Sequence, residues 1–243
     1  MSETIDTRFV AADYSCDDRI VWTRLMQAYE EHVAVHACAE IRQGIDLIGL
    51  SSEIPAYHRI RCRILDLTGW TIVPVAGLVS QLDFADLLSQ KKYPFSVIMR
   101  SPPEASFTIH PDIFHDWLGH MPMLTVPSYR QYLSAYAEAV QRYSDNARVL
   151  KALSRTFWFT AETGLVLEDG NVKVFGAAIL TSVKELNHAL ASGTKRYPFD
   201  LKDIVRRRYS YRQLQRQYYV MNSLDEFSVL SACLGDVAAA VHR

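Results

Sequence analysis

The apolar positions Val21, Leu25, Tyr29 and Val33 recur every four residues, with Ile41 close behind. This spacing predicts one long amphipathic helix from Asp17 to about Arg42. Gly44 is expected to interrupt it, leaving a short helix over Ile45–Leu50 ahead of Ser51 and Ser52, and Pro55 opens a third helix ending near Thr68 and Gly69. Thr71–Val75 then reads as a strand, its Pro74 placing it at a sheet edge. Ser80 can cap a helix over Leu82–Lys91, Phe95–Arg100 reads as a second strand, and Ser101-Pro102-Pro103 as a loop. Further helices are predicted over Tyr129–Tyr143, Arg148–Thr160, Val183–Leu190 and Leu224–His242. Glu168-Asp169-Gly170-Asn171 is a tight-turn signal for a small hairpin using Val172–Phe175, and Tyr218–Val220 a last short strand.

The fold class that results is mainly α with a few short β-strands. Residues 1–15 carry no periodic pattern and read as an irregular lead-in, while 16–243 contain no linker, repeat or low-complexity tract and read as one domain. A hydrophobic fraction of 49% is enough for an ordinary core, and 26 basic against 27 acidic side chains favour neither nucleic acid nor an anionic membrane surface as partner. Cys16, Cys38, Cys62 and Cys233 are widely spaced, without a C-x2-C pair, so reduced thiols and a cytoplasmic location are expected. No run of about 18 apolar residues occurs that would span a bilayer.

Chemistry concentrates in His110-Pro111-Asp112-Ile113-Phe114-His115-Asp116-Trp117-Leu118-Gly119-His120-Met121-Pro122, which holds three of the eight histidines. Imidazole suits zinc, copper, iron and nickel, and two imidazoles with one carboxylate and open positions are the pattern of non-haem Fe(II) oxygenases. The spacing from His115 to His120 is not that of one helix face: five residues at about 100° each leave the side chains roughly 140° apart. The two can meet at one metal if the helix ends at the second, and Gly119 and Pro122 are expected to supply that end. Core or capping histidines are the competing reading.

The carboxylate is supplied by Leu153-Ser154-Arg155-Thr156-Phe157-Trp158-Phe159-Thr160-Ala161-Glu162-Thr163-Gly164, where Glu162 is the only acid in an apolar, aromatic run. A buried, unpaired carboxylate is costly, so Glu162 is either exposed or held by a cation.

With these residues in view, the chain resembles the pterin-dependent aromatic amino acid hydroxylases, in particular the short bacterial phenylalanine hydroxylases. The motifs are Pro111-Asp112-x2-His115-Asp116-x2-Gly119-His120-x-Pro122 and Trp158-Phe159-Thr160-x-Glu162-x-Gly164, with Pro74-Val75-Ala76-Gly77-Leu78 upstream, and the likeness runs from about Tyr57 to Leu224. The resemblance implies a single catalytic domain in which His115, His120 and Glu162 bind Fe(II). It also implies a tetrahydropterin (tetrahydrobiopterin or a relative) as reductant, dioxygen as co-substrate, and a free aromatic amino acid as substrate, most simply phenylalanine going to tyrosine. By the same resemblance Gly77, Leu78 and Val79 present backbone groups to the pterin, Phe84 stacks on it, and Asp116 is the acid behind the metal. Arg100 takes the amino acid carboxylate, as a guanidinium can do bidentately, with Thr108, Thr181 and Ser182 around it. Trp158, Pro111, Thr163 and Ala178 form the ring pocket. The family's animal members add a regulatory domain and a tetramerisation helix for which this chain has no room, so a monomer is expected.

Departures from the family cluster at the ring end: His110, Phe107, Ala161, Thr163 and Ala178 replace other residues, and Tyr211 occupies a loop position tied to substrate choice. Hydroxylation at the meta carbon, or of tryptophan, is therefore the alternative outcome, since a ring shift of about 1 Å can change a rate a hundredfold. His110 is not needed as a ligand, because the triad is complete without it. Two other classes remain in play. The His115-Asp116 dyad also occurs in HD-type metal phosphohydrolases, which would want further His and Asp ligands, and a non-catalytic amino acid sensor could keep the fold.

Overall fold

The computed structural model describes residues 14–49, 51–104 and 108–237. Most of the irregular lead-in, Leu50, Phe107 and the last residues of the expected closing helix lie outside the described residues.

Helix α1 (Cys16–Ala28) is fixed by a capping box, with the Ser15 hydroxyl accepting from Asp18 N–H and the Asp18 carboxylate accepting from Ser15 N–H. It continues through a π turn (Tyr29–Val33) and a 3₁₀ turn (Ala34–His36), and then stops. The single helix expected to reach Arg42 is thus two, because Ala37 bridges to Val174 and Cys38 N–H donates to Val174 O at 2.9 Å, drawing the chain into an extended turn. Helix α2 (Ala39–Ile48) follows and contains Gly44 in its interior rather than breaking there. A Cβ at Gly44 would lie 2.7 Å from Pro122 O, so the glycine serves a close helix crossing.

Helix α3 (Tyr57–Thr68) ends at left-handed Gly69, as predicted. Strand β1 (Thr71–Val75), helix α4 (Gln81–Ser89) and strand β2 (Lys92–Ser96) form a βαβ unit whose strands pair in parallel from Thr71 opposite Lys92 to Val75 opposite Ser96. With only two strands each has a free edge, which Pro74 tolerates. Strand β2 starts three residues before the expected Phe95 and ends at Ser96, since the chain leaves the sheet to carry Arg100 inward.

The centre of the chain is α5 (Ile113–His115), a π turn (Asp116–His120), α6 (Met121–Leu124), α7 (Pro127–Arg142), α8 (Ala147–Phe157) and a further π turn (Trp158–Glu162). Then come β3 (Leu165–Glu168), β4 (Asn171–Val174), α9 (Ala177–Leu180), α10 (Val183–Leu190), β5 (Lys195–Pro198), α11 (Leu201–Ile204), β6 (Gln217–Met221) and α12 (Glu226–Cys233). The second sheet has the order β4-β3-β6-β5, with an antiparallel β3–β4 hairpin turning at Asp169 and Gly170, both at positive φ, and parallel pairing elsewhere. Strand β5 and helix α11 were not predicted: each is four residues long, and β5 exists only through its ladder with β6. Helix α12 gives way to a 3₁₀ turn at Leu234–Asp236, and the end of the expected closing helix lies outside the described residues.

The core is one large cluster, with Tyr129, Tyr132 and Tyr136 of α7 in successive ring contact and Phe227 of α12 against them, and a small second cluster of Phe159, Ile204 and Tyr219. Burying such a stripe at helical spacing drives α7 to the centre, and α4, α8 and α12 pack around it. The ends of these helices frame the site.

Candidate active site

Both ligand-bearing segments widen into π turns at the residues that matter. Asp112 caps α5 by accepting His115 N–H at 2.9 Å, and Met121 N–H then donates to Asp116 O, five residues back. The extra residue per turn brings His120 nearly over His115, and the 140° divergence of a regular helix disappears. The expected helix end at Gly119 and Pro122 is therefore corrected: neither stops the chain. Gly119 lies inside the wide turn, where a Cβ would approach Ala177 Cβ to 2.6 Å, and Pro122 sits in the first turn of α6, where its missing N–H is tolerated. Helix α8 widens likewise, with Thr163 N–H donating to Trp158 O at 2.9 Å, and this turns Glu162 toward the histidines.

His115 Nε2 and His120 Nε2 are 3.1 Å apart. Glu162 places Oε2 3.5 Å from the first and Oε1 3.2 Å from the second. Thr181 Oγ donates to Ala177 O at 2.7 Å, so at 3.1 Å it accepts from Nδ1–H of His115, which leaves the Nε2 lone pair facing the cluster. Nδ1 of His120 is buried without a partner. Two facing imidazole lone pairs beside a carboxylate are reconciled by a cation, and the donor set of two nitrogens and one oxygen fits a divalent transition metal.

Electrostatics follow from burial and from Glu162. Burial pushes His115 down to about 4, against the pull of the Glu162 carboxylate, so it stays neutral. Burial also opposes charge on His120, but Glu162 outweighs it and raises that imidazole above its usual value. Glu162 is correspondingly lowered, the two histidines overcoming its burial. Asp116 is lifted by burial to about 7 although His120 is near and Ser96 N–H donates to its Oδ2 at 2.5 Å. It is not among the clustered donor groups of His115, His120 and Glu162.

Arg100 is buried in a bidentate pair with Asp112, Nε to Oδ2 at 2.7 Å and Nη2 to Oδ1 at 2.8 Å, and its Nη1 donates to Thr181 O at 3.2 Å. Two of its five N–H groups are left over for a ligand. Asp112 and Thr181 each touch both Arg100 and His115, so the cation and the metal ligand are tied together twice.

A cavity of about 380 Å³ opens in front of the triad. It is lined by the residues assigned from the sequence to the pterin, Gly77, Leu78, Val79, Phe84 and Asp116, and by those assigned to the substrate, Arg100, Thr108, Pro111, Trp158, Thr163, Ala178, Thr181 and Ser182; Ala161 is not among its lining residues. His110 and Tyr211 stand at its wall, and His110 is not among the clustered ligands. The Phe84 ring is set edge-on against Tyr93 at 5.7 Å and Phe157 at 5.3 Å. Trp158 stacks on Tyr209 at 4.8 Å while its indole N–H donates to Gln215.

Sequence reasoning missed Glu185, Gln215 and the role of Asp112. Glu185 is buried in the cavity wall, its Oε1 accepting from Tyr218 O–H at 2.5 Å and Gln215 N–H at 3.1 Å. Its spacing from Ser182 reads as a capping box, which hides it, and only the first half of that box forms, Glu185 N–H donating to Ser182 Oγ. Burial holds its carboxyl above the ordinary range.

Two histidines and one glutamate with open space before them define a mononuclear metal centre of the two-His-one-carboxylate class. The chain belongs to the biopterin-dependent aromatic amino acid hydroxylase family, whose sequence model matches residues 5–231. A phenylalanine-4-hydroxylase of Caulobacter vibrioides is 36% identical over 232 residues, 95% of this chain and 78% of that protein. The phenylalanine hydroxylase of Chromobacterium violaceum with bound iron(III) and oxidised 7,8-dihydrobiopterin superimposes with a TM-score of 0.88 at 27% identity, covering 98% of this chain and 89% of that one. The apo cold-active phenylalanine hydroxylase of Colwellia psychrerythraea gives 0.90 at 27% identity, covering 99% and 92%.

Proposed function

We propose that the protein is an Fe(II)- and tetrahydropterin-dependent monooxygenase that hydroxylates free L-phenylalanine to tyrosine. The observation that carries this is the meeting, in one cavity, of a two-histidine, one-glutamate metal triad with a buried arginine that has N–H groups to spare. Relatives named phenylalanine-4-hydroxylase at 30–36% identity support the substrate. Bound by His115, His120 and Glu162, iron together with a reduced pterin supplies the electrons and the site for dioxygen activation. The rest is positioning by the chain.

In this reading Arg100 grips the substrate carboxylate, with Thr108, Thr181 and Ser182 around it, and Asp112 keeps the guanidinium flat and oriented. Glu185, on the helix that Ser182 caps, takes the ammonium group, so that opposite charges hold the two ends of the zwitterion. Trp158, Pro111, Thr163 and Ala178 confine the ring, while Gly77, Leu78, Val79 and Phe84 hold the pterin and Asp116 backs the metal. The phosphohydrolase reading loses its support, since Asp116 and Asp112 are turned to Ser96 and Arg100 and no further His or Asp joins the cluster among the described residues.

The reading includes one catalytic domain over 16–243, acting as a monomer in the cytoplasm. One dominant hydrophobic cluster and four free thiols support it, and among the described residues no helix is long and apolar enough to cross a membrane. Incubation with Fe(II), tetrahydropterin, oxygen and phenylalanine, tyrosine or tryptophan tests the activity, with products separated against para-, meta- and ortho-tyrosine. Para-tyrosine is expected; meta-tyrosine or a hydroxytryptophan would reassign the ring pocket, and no product from metal-loaded protein would overturn the enzyme. Light scattering on an eluting peak tests the monomer.

A further inference from the structure

A second cleft opens beside the catalytic cavity and shares Gln81, Ser154, Tyr209 and Tyr211 with it. Its walls carry Lys151, Arg155, Arg208 and Arg212 and no acidic side chain. Lys151 and Arg155 are four apart on α8, a like-charge spacing that disfavours the helix, and Arg208 and Arg212 face them from the segment after α11. None of the four makes an ion pair among the described residues. Arg155 is tied to Val205 O through Nη1, yet its Nε is buried without a partner. Burial and the neighbouring Arg208 both lower its pKa. Mutually repelling guanidinium groups with unspent donors are the arrangement an oxyanion relieves. Four cationic side chains around one small cleft suit a compact dianion.

What lies next to the cleft identifies the ligand. Gln81 follows the Gly77–Val79 loop, and its amide donates to Tyr136 Oη and Leu150 O, tying that loop to the cleft wall. The cleft therefore adjoins the part of the cavity assigned above to the pterin, and the inference rests on that assignment. We propose that the cleft is an oxyanion site for phosphate, carried as a monoester on the side chain of a pterin whose ring lies beside Phe84. The free phosphate ion has the same chemistry and is the other source.

Calorimetry on the metal-loaded protein, without oxygen, separates the cases using 7,8-dihydroneopterin, its monophosphate and inorganic phosphate. The monophosphate is expected to bind about tenfold or more tightly than the alcohol, as a charge-assisted hydrogen bond allows. That advantage should shrink with salt and vanish in Arg155→Gln/Arg208→Gln, while the affinity for the alcohol stays put. Arg208→Gln/Arg212→Gln, which leaves the Arg155–Val205 contact intact, should behave the same way. Equal affinities in the wild type, or an ester preference that survives both double variants, would overturn the proposal. Arginine-dependent binding of inorganic phosphate without any ester advantage would overturn the pterin-borne source. If neither pterin binds, the pterin placement itself has failed, and the site then stands on arginine-dependent heat from inorganic phosphate and falls without it.

Discussion

Replacing Glu185 by Gln should separate recognition of the substrate's amino group from everything else in the cavity. Its Oε1 accepts from Tyr218 O–H and Gln215 N–H, and a glutamine oxygen in the same place can accept both, so the wall should stay folded. What is lost is the charge. A hydrogen bond between a carboxylate and an ammonium contributes about 1.5–3 kcal/mol, so the affinity for phenylalanine should fall roughly 10- to 100-fold. The control ligand is 3-phenylpropanoate, which keeps the ring and the carboxylate for Arg100 but has no amino group. Its affinity should be unchanged or improved, because the wild-type carboxylate has nothing to pair with in that complex. Dissociation constants for both ligands, measured on metal-loaded wild type and variant without oxygen, give the answer directly. The pH dependence adds a second readout. Burial holds the Glu185 carboxyl above the ordinary carboxylate range, and only its ionised form pairs with ammonium. Phenylalanine affinity should therefore drop as pH falls through that raised pKa in the wild type and stay flat across it in the variant. If both ligands weaken equally, Glu185 is only structural, and if neither weakens, the ammonium group lies elsewhere.

Other consequences can be measured independently. Thr181→Val removes the acceptor that fixes the His115 tautomer, so metal affinity should fall by about 10- to 100-fold in a competition titration, and an unchanged affinity would contradict the hydrogen bond to Nδ1. Metal binding should weaken as pH falls through the raised pKa of His120, where protons compete for the ligand, while His115 adds competition only near pH 4; a metal affinity that stays constant until pH nears 4 would refute the elevated His120. In Gly119→Ala the new methyl would lie 2.6 Å from Ala177 Cβ, and forcing α9 off the π turn should cost about 1–3 kcal/mol. That corresponds to a Tm lower by about 2–4 °C per kcal/mol, and an unshifted melting curve would refute the contact. Glu162→Gln should abolish hydroxylation with the fold retained, read as lost product with unchanged circular dichroism, and retained turnover would remove it from the metal set.

Local pattern carried a good deal of this protein. The capped start of α4, the glycine end of α3, the Asp169-Gly170 hairpin and the helical stripe of α7 are each written in residues near in sequence, because capping, turn chemistry and amphipathic spacing act over a few positions. The metal ligands were legible through the motifs that the chain shares with the hydroxylases; the residues by themselves left core or capping histidines and an exposed Glu162 open. Only the tertiary structure decided how His115 and His120 meet, since a π turn is a matter of packing, here α9 pressing on Gly119, and spacing on a regular helix points the two apart. The same holds where α1 stops, which depends on a bond from Cys38 to Val174, and for β5, which has no signature apart from its partner β6. Glu185 could not be read from the sequence because the partners of its carboxylate, Tyr218 and Gln215, lie about thirty residues away. Sequence fixes interactions between residues a few positions apart; those that join positions dozens apart exist only once the core has brought the helices together.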